Sequence, residues 1–174
     1  MKQKFMRPFI LGAISAYGML ALFLASGARL GLLPVQADVA PSRLETTLLG
    51  SALHASVARH APTGGDPMLP TEENLRAGAM LYRQMCSHCH GLSKDAASTY
   101  GQSFYPPAPQ LALYQTSYTD RELFWIVKHG IRNTAMPAWS RLLSDNEIWQ
   151  AVTYVGTLNS LPNSITSGLP DSRR

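Results

Sequence analysis

The pattern of apolar and polar residues consists of one long uncharged run near the N-terminus, followed by shorter patterns of helical period. The run Phe9–Ala28 contains no charged residue, and Lys2, Lys4 and Arg7 precede it. As a helix it would span about 30 Å, the thickness of the hydrocarbon core of a bilayer. The pattern therefore predicts a transmembrane helix, with residues 1–7 in the cytoplasm and the rest of the chain exported.

A cleaved signal peptide is the alternative interpretation of this run. Such a peptide has a shorter apolar stretch of about 7–15 residues, followed by small residues at the cleavage site. The segment Val35–Ala37 loosely resembles such a site, but it lies far downstream of the run. The length of the run favours an uncleaved anchor, and its length and flanking cations disfavour a buried core helix.

Two helical patterns lie between the linker at 38–41 and position 91. Ser42 is placed to cap a helix that runs to about His60, with a mostly aliphatic face formed by Leu44, Leu48, Ala52, Ala55 and Ala58. Prolines and glycines in residues 61–70 break this pattern. Thr71 begins a stronger helix, whose apolar side comprises Leu75, Gly78, Ala79, Tyr82, Met85, Cys86 and Cys89.

Capping-box sequences mark the starts of two further helices. The segment Thr119–Glu122 opens a helix that Gly130 ends, and Ser144–Glu147 opens one that stops before Pro162. The segment Gly91–Tyr118 is a long loop, which something must organise in a compact domain. Because the sequence has no alternating strand pattern and no internal repeat, we predict that the exported part is all-α.

These patterns predict four regions along the chain. Residues 1–37 hold the cytoplasmic start, the anchor at about 9–28 and a linker, and residues 38–70 hold a helical extension with a Pro/Gly linker. Residues 71–162 form the main helical domain, and residues 163–174 form a polar tail.

The formal charge of +4 is a property of the N-terminus. Four of the fifteen basic residues, Lys2, Lys4, Arg7 and Arg29, lie in or beside the apolar run, so the chain from residue 30 onward is formally neutral. The exported part thus has no basic stripe, and we expect no nucleic-acid partner.

The segment Cys86–His90 has the spacing Cys-x-x-Cys-His and contains both cysteines of the chain. A lone pair of cysteines argues against a disulfide framework and against a zinc site, whereas the histidine that follows is typical of c-type haem attachment. The two thiols, one helical turn apart, can add across both vinyl groups of one haem, with His90 as the proximal iron ligand. A chance occurrence of this short pattern is the alternative.

The identity of the sixth iron ligand decides whether the protein is an electron carrier or a protein that binds small molecules at the iron. Met136 is favoured, because a thioether is a soft ligand that stabilises Fe(II) and raises the reduction potential, and Pro137 stiffens its loop. His129 and an open coordination site stay as alternatives, and Met136 could also fill core space only. His54 and His60 are expected to be surface residues rather than ligands. His88 is expected to be exposed or to contact a ligand without binding the iron itself.

From about Thr71 to Pro162 the chain resembles a class I cytochrome c, of the single-haem type found in bacterial exported carriers and in the third subunit of cbb3-type oxidases. The matching residues are Cys86, Cys89 and His90, then Pro109, then Met136 in the stretch that begins at Gly130. The resemblance implies the cytochrome c fold, one covalently bound haem c and Met136 as the second axial ligand. It also implies that the Pro109 carbonyl accepts the Nδ1 proton of His90.

The same resemblance implies a crossing of the first and last helices of the domain. Gly78 and Tyr82 correspond to the small and aromatic residues through which the first helix crosses the last, with Trp149 or Tyr154 as the partner. Four residues are candidates for contact with the haem propionates: Arg132, Trp139, Tyr105 and Tyr114.

The sequence as a whole predicts single-electron transfer by a membrane-anchored mono-haem cytochrome, on the periplasmic side of a bacterial cytoplasmic membrane. We expect redox proteins or a respiratory membrane complex as partners, lipid around the N-terminal helix, and no small-molecule substrate. The alternatives are a haem enzyme or gas sensor, if Met136 leaves the iron, and a structural subunit whose haem only stabilises the fold.

Overall fold

The computed structural model of the protein describes residues 2–65, 67–92 and 97–158. Within these ranges the secondary structure is helical and contains no β-strand, so the predicted all-α class is confirmed. The chain divides into two units, Met1–Val39 and Ala40–Arg174. The predicted tail at 163–174 lies outside the described residues.

The first unit contains helix α1, Lys2–Arg29. Its segment Pro8–Arg29 has a mean hydropathy of 2.0, and none of it is buried within the protein. By length and composition this helix can cross a membrane. A signal sequence near an N-terminus can meet the same criteria of length and composition.

The second unit contains six α-helices in the described residues. They are α2 (Arg43–His60), α3 (Glu72–Leu81), α4 (Ser87–His90), α5 (Thr99–Gln102), α6 (Asp120–His129) and α7 (Asp145–Thr157). A π-helical segment, Tyr82–Cys86, joins α3 to α4, and a 3-10 turn at Trp139–Arg141 precedes α7. Helix α3 crosses α7, α6 packs on α7, and α2 packs on α6.

The predicted helix starts are confirmed by their hydrogen bonds. The Ser42 and Thr71 side chains accept from backbone N–H groups in the first turns of α2 and α3. At α6 and α7 both bonds of the capping box form, between Thr119 and Glu122 and between Ser144 and Glu147. Each cap satisfies N–H groups that have no partner inside the helix.

The crossing of α3 and α7 depends on the absence of a side chain at Gly78. A Cβ atom built there would lie 2.1 Å from the Gln150 carbonyl oxygen and 2.9 Å from the Tyr154 Cβ. The rings of Tyr82 and Tyr154 lie 5.5 Å apart, whereas Trp149 stacks on Phe124 at 4.3 Å. Of the two partners predicted for Tyr82, the structure therefore selects Tyr154.

Two sequence predictions need correction, and the structure adds the orientation of α2, which the sequence left open. The helix that begins at Thr71 is not uniformly α-helical, because the Ser87 N–H donates to the Tyr82 carbonyl five residues earlier. The loop 91–118 contains the short helix α5. The aliphatic face of α2 points outward, with Leu44 70% and Leu48 57% exposed, and the helix packs instead through the fully buried Val57.

Candidate haem site

A cavity of about 470 Å³ lies between α3–α4, the following loop, α6 and α7. This volume is in the range of about 300–1,000 Å³ that ligand pockets occupy. Among the described residues that line it, none is Asp, Glu, Lys or Arg. The cavity therefore suits a large apolar group rather than a charged one.

The π-helical segment brings both cysteines to the cavity. Cys86 and Cys89 are half-buried and line its wall, on either side of the step from the π turn to α4. Burial, and secondarily the neighbouring Cys89, raises the pKa of the Cys86 thiol to about 12. Both free thiols thus face an apolar space, and π turns of this kind are frequent at functional sites.

The ring of His90 lines the same cavity, with one nitrogen held by the backbone. Its Nδ1 lies 2.8 Å from the Pro109 carbonyl oxygen. A carbonyl can only accept, so Nδ1 carries the proton and Nε2 keeps its lone pair. Burial lowers the pKa of His90, and the bond to Pro109 acts in the opposite direction. The ring is thereby fixed in the tautomer that a metal ligand at Nε2 requires.

Two buried polar side chains hold this arrangement, and sequence reasoning gave neither of them this role. The Gln110 amide donates to the Cys89 and Ala108 carbonyls at 3.1 and 3.0 Å, and its oxygen accepts from the Ser98 N–H at 2.6 Å. The Tyr82 hydroxyl donates to the Gly91 carbonyl at 2.7 Å. In the sequence, Gln110 is marked only by being a polar residue between Pro109 and Leu111.

Met136 also lines the cavity, from a loop that starts at Gly130. Gly130 has φ of 68°, and a Cβ atom there would lie 2.6 Å from the Pro137 carbonyl carbon. The Ile131 N–H donates to the Met136 carbonyl at 3.1 Å, and the Met136 N–H donates to the Thr134 hydroxyl at 3.1 Å. Gly130 thus permits the close return of the chain that presents Met136.

The other sequence candidates fall into two groups. His129 is exposed and lies beside Trp125, with ring centroids 5.1 Å apart, and it does not line the cavity. His88 is exposed beside Tyr100. Of the four candidates for propionate contact, Tyr114 and Trp139 line the cavity, whereas Tyr105 and Arg132 are not among its lining residues.

One lining residue comes from the N-terminal extension and was not anticipated. Leu53 of α2 forms part of the cavity wall. Leu53 is not part of the predicted aliphatic face, and it lies on the side of α2 that packs against the domain. No sequence signal distinguished it from the other leucines of this helix.

The donor set on this cavity fits haem c. Two thiols, one imidazole with a free Nε2 and the two thioethers of Met85 and Met136 line the same uncharged cavity. Thiols, an imidazole and a thioether are the groups that attach and ligate such a haem. Residues 73–155 match the family model described as cytochrome C oxidase, cbb3-type, subunit III. Residues 73–155 therefore form a cytochrome c domain of the cbb3 type.

Proposed function

We propose that the protein transfers single electrons through one covalently bound haem c. In this proposal Cys86 and Cys89 would hold the haem covalently, their thiols adding across its two vinyl groups, and His90 and Met136 would bind its iron. The observation that carries the proposal is that these four side chains line one cavity without a charged residue among its described lining.

The chain's own residues would fix the ligands and exclude water. Haem iron, when bound, supplies a reversible one-electron change between Fe(II) and Fe(III). The Pro109 carbonyl holds the Nδ1 proton of His90, which keeps the imidazole oriented and basic. The Met136 thioether favours Fe(II), and the apolar lining lowers the local dielectric, so both raise the reduction potential.

The same lining is poorly suited to a peroxidase or a gas sensor. The described lining residues contain no carboxylate and no histidine besides His90. The described lining therefore supplies no acid–base pair that could transfer protons to oxygen species bound to the iron. If His90 and Met136 both bind the iron, they would leave no coordination position for a substrate.

The purified holoprotein is expected to exchange electrons without binding small iron ligands. Its absorption spectrum should change reversibly in a redox titration as a one-electron couple, and adding carbon monoxide to the reduced form should leave the spectrum unchanged at neutral pH. The physical reason is that His90 and Met136 would both bind the iron and leave no position for carbon monoxide. Rapid and tight binding of carbon monoxide by the wild-type protein would contradict the proposal.

We further propose that α1 is an uncleaved anchor that leaves the haem domain on the periplasmic side. The support is the uncharged span of α1, with Lys2, Lys4 and Arg7 at its start. Anchoring would hold the domain at high effective concentration near a respiratory complex, such as the oxidase for which the family is named.

If α1 is an uncleaved anchor, the protein should stay in the membrane fraction after a high-salt or alkaline wash. A chain lacking residues 1–29 but exported by an unrelated cleavable signal peptide should instead be released as a soluble periplasmic haem protein. Protease added to spheroplasts should digest the haem domain of the full chain. Release of the full chain by salt, or protection from the protease, would show that the anchor or its orientation is wrong.

A further inference from the structure

Helix α2 lies outside residues 73–155, yet it is firmly attached to the domain. It packs against α6, and its Val57 has no solvent exposure. Beyond the C-terminal end of α2, the Arg121 guanidinium donates to the Gly64 carbonyl. The extension is thus fixed to the domain rather than serving only as a spacer.

Two ring contacts fix α2 against α6 and against the loop residue Tyr118 that precedes α6. The His54 ring stacks on Tyr118 with centroids 5.3 Å apart and an angle of 26° between the planes. The His60 ring stacks on Trp125 at 6.0 Å and 21°. Since Tyr118 itself lines the cavity, the first of these contacts places α2 directly behind the cavity wall.

Leu53, next to His54 on α2, reaches the cavity itself. The opposite face of the helix is exposed, as Leu44 and Leu48 show. Helix α2 therefore separates the cavity from solvent at this point, and the Leu53 side chain forms its inner surface. Shortening this side chain opens the wall without removing any ligand, thiol or hydrogen bond of the candidate haem site.

We propose that α2 is part of the cofactor site and that Leu53 is the wall residue through which it excludes water from the haem. Exclusion of water favours the form of the iron with the smaller net charge, because charge is costly in an apolar surrounding. The inference rests on the proposed function, and it assigns to the extension a role that the matched domain does not include.

The test compares Leu53→Ala with Leu48→Ala in the holoprotein. Both variants make the same chemical change on the same helix, but Leu48 is 57% exposed and lies outside the cavity lining. At a fixed ambient potential near the midpoint, Leu53→Ala should raise the ratio of oxidised to reduced protein about threefold, because water reaches the cavity. Leu48→Ala should leave the ratio unchanged.

The ferric absorption spectrum of Leu53→Ala should match that of the wild type, because His90 and Met136 are untouched. If Leu53→Ala yields no holoprotein, Leu53→Val should give a smaller shift of the ratio in the same direction. Equal ratios for the Leu53 and Leu48 variants would overturn the inference. Binding of carbon monoxide by the wild-type protein would instead overturn the proposed function, so the two failures are distinguishable.

Discussion

Replacing Met136 with alanine is expected to turn a protein that does not bind carbon monoxide into one that binds it stoichiometrically. The loop that presents Met136 is held by the Gly130 conformation and by backbone hydrogen bonds, and these do not involve the methionine side chain. The variant should therefore fold with an open position on the iron. The measurement is a titration of the reduced holoprotein with carbon monoxide, followed by absorption spectroscopy.

The same variant should have a lower reduction potential. Loss of the thioether removes the ligand that favours Fe(II), and water enters at the vacated position. We expect the ratio of oxidised to reduced protein at fixed potential to rise at least tenfold, which is about 59 mV for a one-electron couple. Redox titration of the wild type and the variant measures this directly.

Two control variants make the assignment specific. Met80→Ala removes a methionine that is 49% exposed on α3 and does not line the cavity, so it should leave both measurements unchanged. His129→Ala removes the alternative ligand and should also have no effect, since His129 is exposed. A Met136→Ala spectrum identical to that of the wild type would remove Met136 from the iron, and a changed His129→Ala spectrum would point to the histidine.

The sequence predicted best those features whose causes are local. A capping box needs only residues three positions apart, and both predicted boxes form the expected pairs of hydrogen bonds. The attachment motif is likewise contiguous, and its spacing places Cys86, Cys89 and His90 on one short stretch of helix. Such features depend little on the rest of the fold, so a single sequence suffices to predict them.

Features that depend on contacts between residues far apart in sequence could not be predicted from the sequence. Gln110 bonds to the carbonyl of Cys89 and the N–H of Ser98, and nothing near Gln110 in sequence indicates either partner. The inward face of α2 is chosen by its packing on α6, so the stripe around Leu48 that looks most apolar is the one left exposed. Hydrophobic period predicts a helix, but it does not predict which neighbour the helix meets.

The π-helical segment was missed for a related reason. Apolar spacing alone cannot distinguish a continuous α-helix from one with a single wider turn, because most side chains on either side keep their period. The structure shows the wider turn at Tyr82–Cys86, so that it ends at the first cysteine of the attachment motif. The local geometry of the cysteines is thus a property of the packed domain.

Replacing Gly78 with alanine is expected to destabilise the holoprotein strongly, because the added methyl group would clash with α7. Alanine is intrinsically the better helix former by about 1 kcal/mol, but its methyl group would lie 2.1 Å from the Gln150 carbonyl oxygen. Helices α3 and α7 would have to separate, and overpacking of this kind typically costs about 1–3 kcal/mol. We expect the midpoint of thermal unfolding to fall by roughly 10 °C.

Gly50→Ala on α2 is the matched control, since a Cβ atom at Gly50 has no neighbour within 4 Å. There the intrinsic preference of alanine acts without a clash, so the free energy of unfolding should stay unchanged or rise by up to about 1 kcal/mol. Guanidinium unfolding of both holoproteins, followed by circular dichroism, measures the difference. A Gly78→Ala protein as stable as the wild type would mean that α3 and α7 do not cross as closely as the backbone geometry requires.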